Sequence, residues 1–177
     1  MNGCPAASVT VTVTVNPALS VVASGTASIC PGASTSISAL ASMGSGGPYT
    51  YTWAPTGTPS GTPVSVSPSV TTTYTVTASD GCSPTATSTV TVTVLPSPVV
   101  VISATATSGC EPLCLTLINN STVAGGTIAT WLWDYGDGST PDTAHAHCYN
   151  SAGQYSVTLT VSSSLGGCVS TLTNTNM

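Results

Sequence analysis

The chain has 177 residues, no Lys or Arg, five acids and a formal net charge of −5. A soluble domain carries about 25% charged residues against 3% here, so ion pairs cannot hold the fold and no Lys–Asn isopeptide crosslink can form. Without cations to meet phosphate, nucleic acid and an anionic membrane surface are excluded as partners, and no apolar run approaches the ~20 residues of a membrane span. Seven cysteines without metal-ligand spacing, in an acidic chain rich in Thr and Ser, point to disulfides and an oxidising, extracellular setting.

In chain order, residues 8–15 read Ser-Val-Thr-Val-Thr-Val-Thr-Val, a period of two built from β-branched residues, which predicts a strand. Asn16-Pro17 stops it. The same device returns at 89–94, stopped by Leu95-Pro96, and each copy is preceded by a Gly-Cys, Gly3-Cys4 and Gly81-Cys82. The cysteines repeat at 78 residues and the prolines at 79, a domain-sized internal repeat. Residues 1–17 are therefore expected to be the last strand of a preceding domain, or a donor strand that completes the sandwich of a neighbouring copy. Deleting residues 1–16 separates the two, since only donation loses assembly.

Residues 18–96 form one expected unit, with strands at 20–23, 34–41, 49–53, 64–67, 72–78 and 89–94. Gly, Pro and Ser clusters punctuate them. Tyr51 and Trp53 share a face and are expected in the core, with Tyr74 and Val76 opposite. Residues 97–177 form the second unit, with strands at 99–104, 113–118, 129–135, around 144–149, 154–161 and 169–173. Trp131, Trp133 and Tyr135 alternate with Leu132 and Asp134, so the aromatics share one face, and Gly136-Asp137-Gly138 makes a turn. The expected fold is all-β: tandem antiparallel Ig-like β-sandwiches preceded by an orphan terminal strand.

The run Trp133-Asp134-Tyr135-Gly136-Asp137-Gly138-Ser139, then Pro141, His147 and Tyr149, then Gly153-Gln154-Tyr155-Ser156-Val157-Thr158-Leu159-Thr160-Val161, resembles the PKD (polycystic kidney disease) domain over about residues 97–173. The pattern departs from the family at Tyr135, where Phe is usual, and at Cys148 inside the His-x-Tyr strand. Residues 18–96, with Ile29-Cys30-Pro31-Gly32, Tyr51-Thr52-Trp53 and Thr72-Thr73-Tyr74-Thr75-Val76 before Gly81-Cys82, resemble the Ig-like repeats of long bacterial surface adhesins.

On an Ig-type strand order, Cys30 and Cys110 fall in turns at one end of their domains and Cys82 and Cys168 at the other. Strands rising about 3.3 Å per residue put those ends ~20 Å apart, whereas a disulfide needs Cα atoms within ~7 Å. Head-to-tail stacking then favours Cys30–Cys168 as an interdomain pair, with Cys82 and Cys110 reaching for neighbours beyond these two domains. The alternative, Cys30 with Cys82 and Cys110 with Cys168, requires a different strand order. Cys114 and Cys148 are expected to pair across two antiparallel neighbours, and Cys4 has no partner under either scheme.

His145 and His147 beside three aspartates invite a catalytic reading, but in PKD-like domains the equivalent of His147 packs and hydrogen-bonds. No catalytic residue, cofactor or metal is implied. Were a cation to bind, Asp134, Asp137 and Asp142 are the candidate calcium ligands, although turn capping accounts for them. Asn119 and Asn120 begin overlapping N-glycosylation sequons, and Asp142-Thr143-Ala144 resembles a bacterial O-glycosylation signal at Thr143. The expected function is that of a structural or adhesive segment of an extracellular surface fibre or giant adhesin, not an enzyme. Its partners would be neighbouring domains or copies of itself, with surface glycans as a further class. The alternative is a carbohydrate-binding or accessory module of a secreted enzyme.

Overall fold

From residue 20 onward, alternating Thr/Ser and aliphatic residues fold here as strands. The computed structural model describes residues 9–175. Among them are thirteen strands and no helix, and the fold is of the all-β, Ig-like sandwich type. The strands are β1 (Ser20–Ser24), β2 (Ala27–Ile29), β3 (Thr35–Ser42), β4 (Thr50–Ala54), β5 (Val64–Val66), β6 (Thr72–Ser79) and β7 (Ala86–Val94). There follow β8 (Ile102–Ala104), β9 (Leu113–Asn119), β10 (Ile128–Asp134), β11 (Ala146–Tyr149), β12 (Val157–Ser163) and β13 (Val169–Asn174). The sheet orders are β1-β3-β5, β2-β7-β6-β4, β11-β9-β8 and β10-β12-β13.

The chain gathers into two compact units. One comprises Met1–Ser24, Ile37–Val64 and Tyr74–Val90, the other Gly25–Ser36, Ser65–Thr73 and Thr91–Met177. In the first, β1 pairs β3 antiparallel, and β4 pairs β6 with Trp53 opposite Val76. Ile37, Trp53, Val64, Tyr74, Val76 and Val90 are buried. Trp53 also donates its indole N–H to the Gly61 carbonyl at 2.9 Å. Tyr51 is half-buried, its hydroxyl accepting the Ala41 N–H at 3.0 Å.

In the second unit the alternation of β12 sets the core. Val157, Leu159 and Val161 are buried, while Thr158 and Thr160 between them are not. With Leu115, Leu117, Trp133, Tyr135 and Tyr149 they form one apolar cluster. Each fully buried Val or Leu contributes roughly 1.5–3 kcal/mol, which makes this cluster the main driving force of the unit.

The opposite face shows what replaces ion pairs in a chain without cations. Thr158 bonds Thr173 at 2.8 Å, Thr160 bonds Thr171 at 3.1 Å and Thr130 bonds Ser162 at 2.6 Å. Ser24 with Ser38 and Thr73 with Thr91 repeat the device. Such cross-strand hydroxyl pairs contribute roughly 0.2–1 kcal/mol each.

Two features differ from the sequence expectation. The strand β2, absent from it, pairs in parallel with Val92–Val94 of β7, and Leu95 N–H extends the contact to the Ile29 carbonyl at 2.9 Å. Three residues carry too little periodicity to announce themselves. Conversely, residues 9–15 carry no strand, and Val9, Val11, Val13 and Val15 are all at least 80% exposed. Strand propensity reflects packing against a neighbour, and these residues have none. Ser8, where that expected strand begins, and Cys4 lie outside the described residues.

Candidate functional site

The aromatic face of β10 leads directly into the Asp-rich turn. Trp133 and Tyr135 are buried, Trp131 is half-buried, and Leu132 and Asp134 face outward. The turn is fixed by local carboxylates: Asp134 Oδ1 accepts the Gly136 N–H at 3.0 Å, and Asp137 Oδ1 accepts the Ser139 N–H at 3.0 Å and hydroxyl at 2.6 Å. Gly136 has φ of 75° and lies against the Ser156 carbonyl oxygen, leaving no room for a Cβ.

The following segment folds back over this turn. Asp142 exchanges both backbone hydrogen bonds with Trp133, at 2.7 and 3.0 Å. Its carboxylate accepts the Tyr135 hydroxyl at 2.6 Å and the Ala144 N–H at 2.7 Å. His147 stacks on Tyr135 with ring centroids 3.8 Å apart, and its Nε2 lies 2.7 Å from Asp137 Oδ2. Tyr149 meets His147 edge-on at 4.8 Å, stacks on Tyr155 at 4.4 Å, and donates its hydroxyl to the Tyr135 carbonyl at 3.0 Å. The other histidine, His145, places Nδ1 3.0 Å from the Leu117 carbonyl. The result is an aromatic ladder, Tyr135–His147–Tyr149–Tyr155, latched at its rim by aspartates.

This geometry engages the acids with donors of their own chain. The three candidate calcium ligands Asp134, Asp137 and Asp142 do not gather: no group of three or more His, Cys, Asp or Glu side chains with metal-binding geometry occurs among the described residues. Asn119, half-buried at the end of β9, accepts the Ser121 N–H at 3.0 Å. Asn120 is exposed and donates to Ser103 Oγ at 2.7 Å, and Thr143 is exposed. Beside the ladder is a cavity of about 350 Å³ lined by Leu113, Leu115, Leu117, Tyr149 and Tyr155, with Glu111 its only charged residue.

The electrostatics make the latch sensitive to acid. The Ser139 hydroxyl, with His147 beside it, holds the Asp137 carboxyl down at about 2. The Tyr135 hydroxyl lowers Asp142, and the backbone N–H groups of Ser45, Ser83 and Cys82 lower Asp80. A carboxyl depressed in the fold stabilises it above its unfolded pKa, near 4, and that contribution disappears as pH falls through the folded value. Denaturant midpoints are therefore expected to hold down to about pH 4 and to drop between there and pH 2. Asp137→Asn should flatten part of that drop, and an unchanged acid limb would refute the role of the latch. Burial acts oppositely on the phenols, pushing Tyr149 up to about 12, so its contribution is present below its unfolded value near 10 and is lost above it.

The cysteines complete the picture. Cys114 and Cys148 lie directly opposite each other on β9 and β11 and are joined, with Cα atoms 3.9 Å apart. Cys30 and Cys168 are joined with Cα atoms 5.4 Å apart. The alternative pairing of Cys30 with Cys82 and Cys110 with Cys168 is thereby corrected: Cys168 is the thiol within disulfide reach of Cys30, and Cys82 and Cys110 are free and exposed. Cys168 is itself buried, its N–H donating to Ser163 Oγ at 3.1 Å while the Ser163 N–H returns to the Cys168 carbonyl at 2.9 Å. Sequence reasoning passed over Ser163 and Asp80. For Asp80 a signal existed, since Asp80-Gly81 is a turn dipeptide whose Asp bonds the backbone two residues on. For Ser163, one serine in a run of three, there was none.

The family model of the PKD domain matches residues 96–176. Among curated proteins, a microbial collagenase of Vibrio alginolyticus is 52% identical over 48 residues, 27% of this chain and 6% of that protein. The chain thus spans a small part of that relative's length. Among solved structures, a PKD domain of Vibrio anguillarum Epp shares 28% identity, with 45% of this chain and 89% of that one covered and a TM-score of 0.36. A PKD domain of the Vibrio cholerae metalloprotease PrtV shares 32% identity, with 45% and 93% covered and a TM-score of 0.36.

Proposed function

We propose, from the premise that residues 96–176 form a PKD domain, that the chain is a non-catalytic spacer of an extracellular fibre or adhesin whose task is to bear tension. The observation that carries this reading is the Cys30–Cys168 disulfide, which spans 138 residues. A pull applied outside residues 30 and 168 passes through one covalent bond and bypasses the strands between them. A sandwich without lysine or arginine ion pairs is thereby protected from the load that would unfold it. The aspartate latch on the aromatic ladder suits the same task, because it closes the rim of the core with hydrogen bonds inside the chain.

Single-molecule stretching tests the reading. With the disulfide intact, extension should stop short of the enclosed residues. After reduction it should grow by roughly 470 Å, from about 3.4 Å per extended residue over the 138-residue separation. Equal contour lengths before and after reduction would sink the load-bearing role.

A second reading has its own observation. The match to the Vibrio alginolyticus collagenase and the cavity lined by Tyr149, Tyr155, Gln154 and Glu111 favour an accessory module that attaches a secreted enzyme to its substrate. On that reading the isolated chain adsorbs to an insoluble protein or polysaccharide. On the spacer reading it does not.

A further inference from the structure

The two halves of the chain repeat one strand plan. The sheet β1-β3-β5 corresponds to β8-β9-β11, and the series β4-β6-β7 corresponds to β10-β12-β13. Only β2 has no counterpart. On this plan Cys30, in the connection leading into β3, is equivalent to Cys110, in the connection leading into β9. Cys82, between β6 and β7, is equivalent to Cys168, between β12 and β13. The chain joins one member of each class, Cys30 to Cys168. The other two, Cys82 and Cys110, are exposed and free.

The turn that carries Cys82 is held for presentation. Asp80 Oδ1 accepts the N–H groups of Cys82 at 3.0 Å and Ser83 at 2.7 Å, while Oδ2 accepts the Ser45 N–H at 2.7 Å and the Ser83 hydroxyl at 2.9 Å. One carboxylate thus accepts three backbone N–H groups, from two loop segments, around an exposed thiol. Among the described residues nothing bonds to that thiol.

We propose that Cys110 of one copy forms a disulfide with Cys82 of the next, so that copies join head to tail by the same pairing of positions that Cys30 and Cys168 make within the chain. The inference rests on the spacer reading and gives the spacer its longitudinal partner, a second copy of this chain. Each such link leaves one Cys82 and one Cys110 unused in the joined pair, so further copies add at those thiols and the contact propagates as an open chain. The step balances with a small disulfide as oxidant. One cysteine thiolate attacks the oxidant, forming a mixed disulfide and releasing one small thiol. The second cysteine thiolate then displaces the other small thiol, so two protein thiols are oxidised and one small disulfide is reduced to two thiols.

The test uses the full chain in a Cys4→Ser background, exposed to oxidised glutathione and read on non-reducing gels and by light scattering. The expected result is a ladder in steps of 17.3 kDa, with a peptic peptide linking residues 82 and 110. Cys82→Ser and Cys110→Ser should each abolish the ladder, and mixing the two variants should restore a product that stops at the dimer. An unchanged melting temperature of both monomeric variants shows that they fold. No ladder, a ladder surviving either substitution, 82–82 or 110–110 peptides, or an 82–110 link within a monomer would each overturn the proposal. The spacer reading fails separately, if reduction leaves the stretching length of the single chain unchanged.

Discussion

Trp133→Ala should lower the stability of the unit that contains it by about 3–5 kcal/mol. The indole is fully buried at the centre of the cluster formed by Leu117, Leu159 and Val161, so its removal costs both transfer free energy and an unfilled cavity. Against a total of about 5–15 kcal/mol for a domain, that loss leaves the unit marginal or unfolded. Urea midpoints and the near-ultraviolet dichroism of the aromatic ladder would report it. Trp133→Phe should cost much less. It keeps most of the ring volume and removes an indole N–H that has no hydrogen-bond partner, a group whose burial is itself unfavourable by about 1–3 kcal/mol. Leu132→Ala, one residue away on the exposed face, should be nearly silent. A Phe variant as damaged as the Ala variant would mean that the indole nitrogen, not ring volume, matters at this position.

Replacing Cys30 and Cys168 together by Ala should cost roughly 2–5 kcal/mol, more than the same change at Cys114 and Cys148. The first bond closes a separation of 138 residues and the second one of 34. Loop entropy alone makes the difference about 1.2 kcal/mol. Packing acts in the same direction, because Cys168 is buried and held by Ser163, whereas both cysteines of the second pair are exposed. Denaturant midpoints of the two double variants, measured side by side, decide the order. A larger loss at Cys114–Cys148 would refute the loop-closure account and point to registration of β9 on β11 as the main role of the disulfides.

The same residues show how far the sequence could be read. The alternation Val157-Thr158-Leu159-Thr160-Val161 displays an inward and an outward face, and the structure uses it as a core and a hydroxyl ladder. The aromatic face of β10 is equally legible, because strand geometry forces a period of two on whatever is written there. Half of the latch is legible too. Asp134 to Gly136 and Asp137 to Ser139 are bonds between residues two apart, and such turns are local chemistry. The other half is not. Asp142 on the Tyr135 hydroxyl and His147 on Asp137 join residues seven and ten positions apart, and their meeting depends on where β11 docks.

Residues 9–15 give the opposite lesson. Their propensity is among the strongest in the chain, yet they form no strand, because propensity stabilises a strand only once an edge is available to pair with.

By itself, then, the sequence determined the local terms: an all-β chain, the inward residues of each long strand, the glycine turn after β10 and a stability that owes nothing to lysine or arginine. These follow from backbone dihedrals, side-chain period and charge, which act over a few residues. Only the tertiary structure decided that β2 lies parallel to β7, that His147 stacks on Tyr135, and that Cys30 meets Cys168 while Cys82 and Cys110 stay open. Those contacts bring together residues from 12 to 138 positions apart. Closing such loops costs entropy that no local preference offsets, so the pairing is set by which surfaces bury well together.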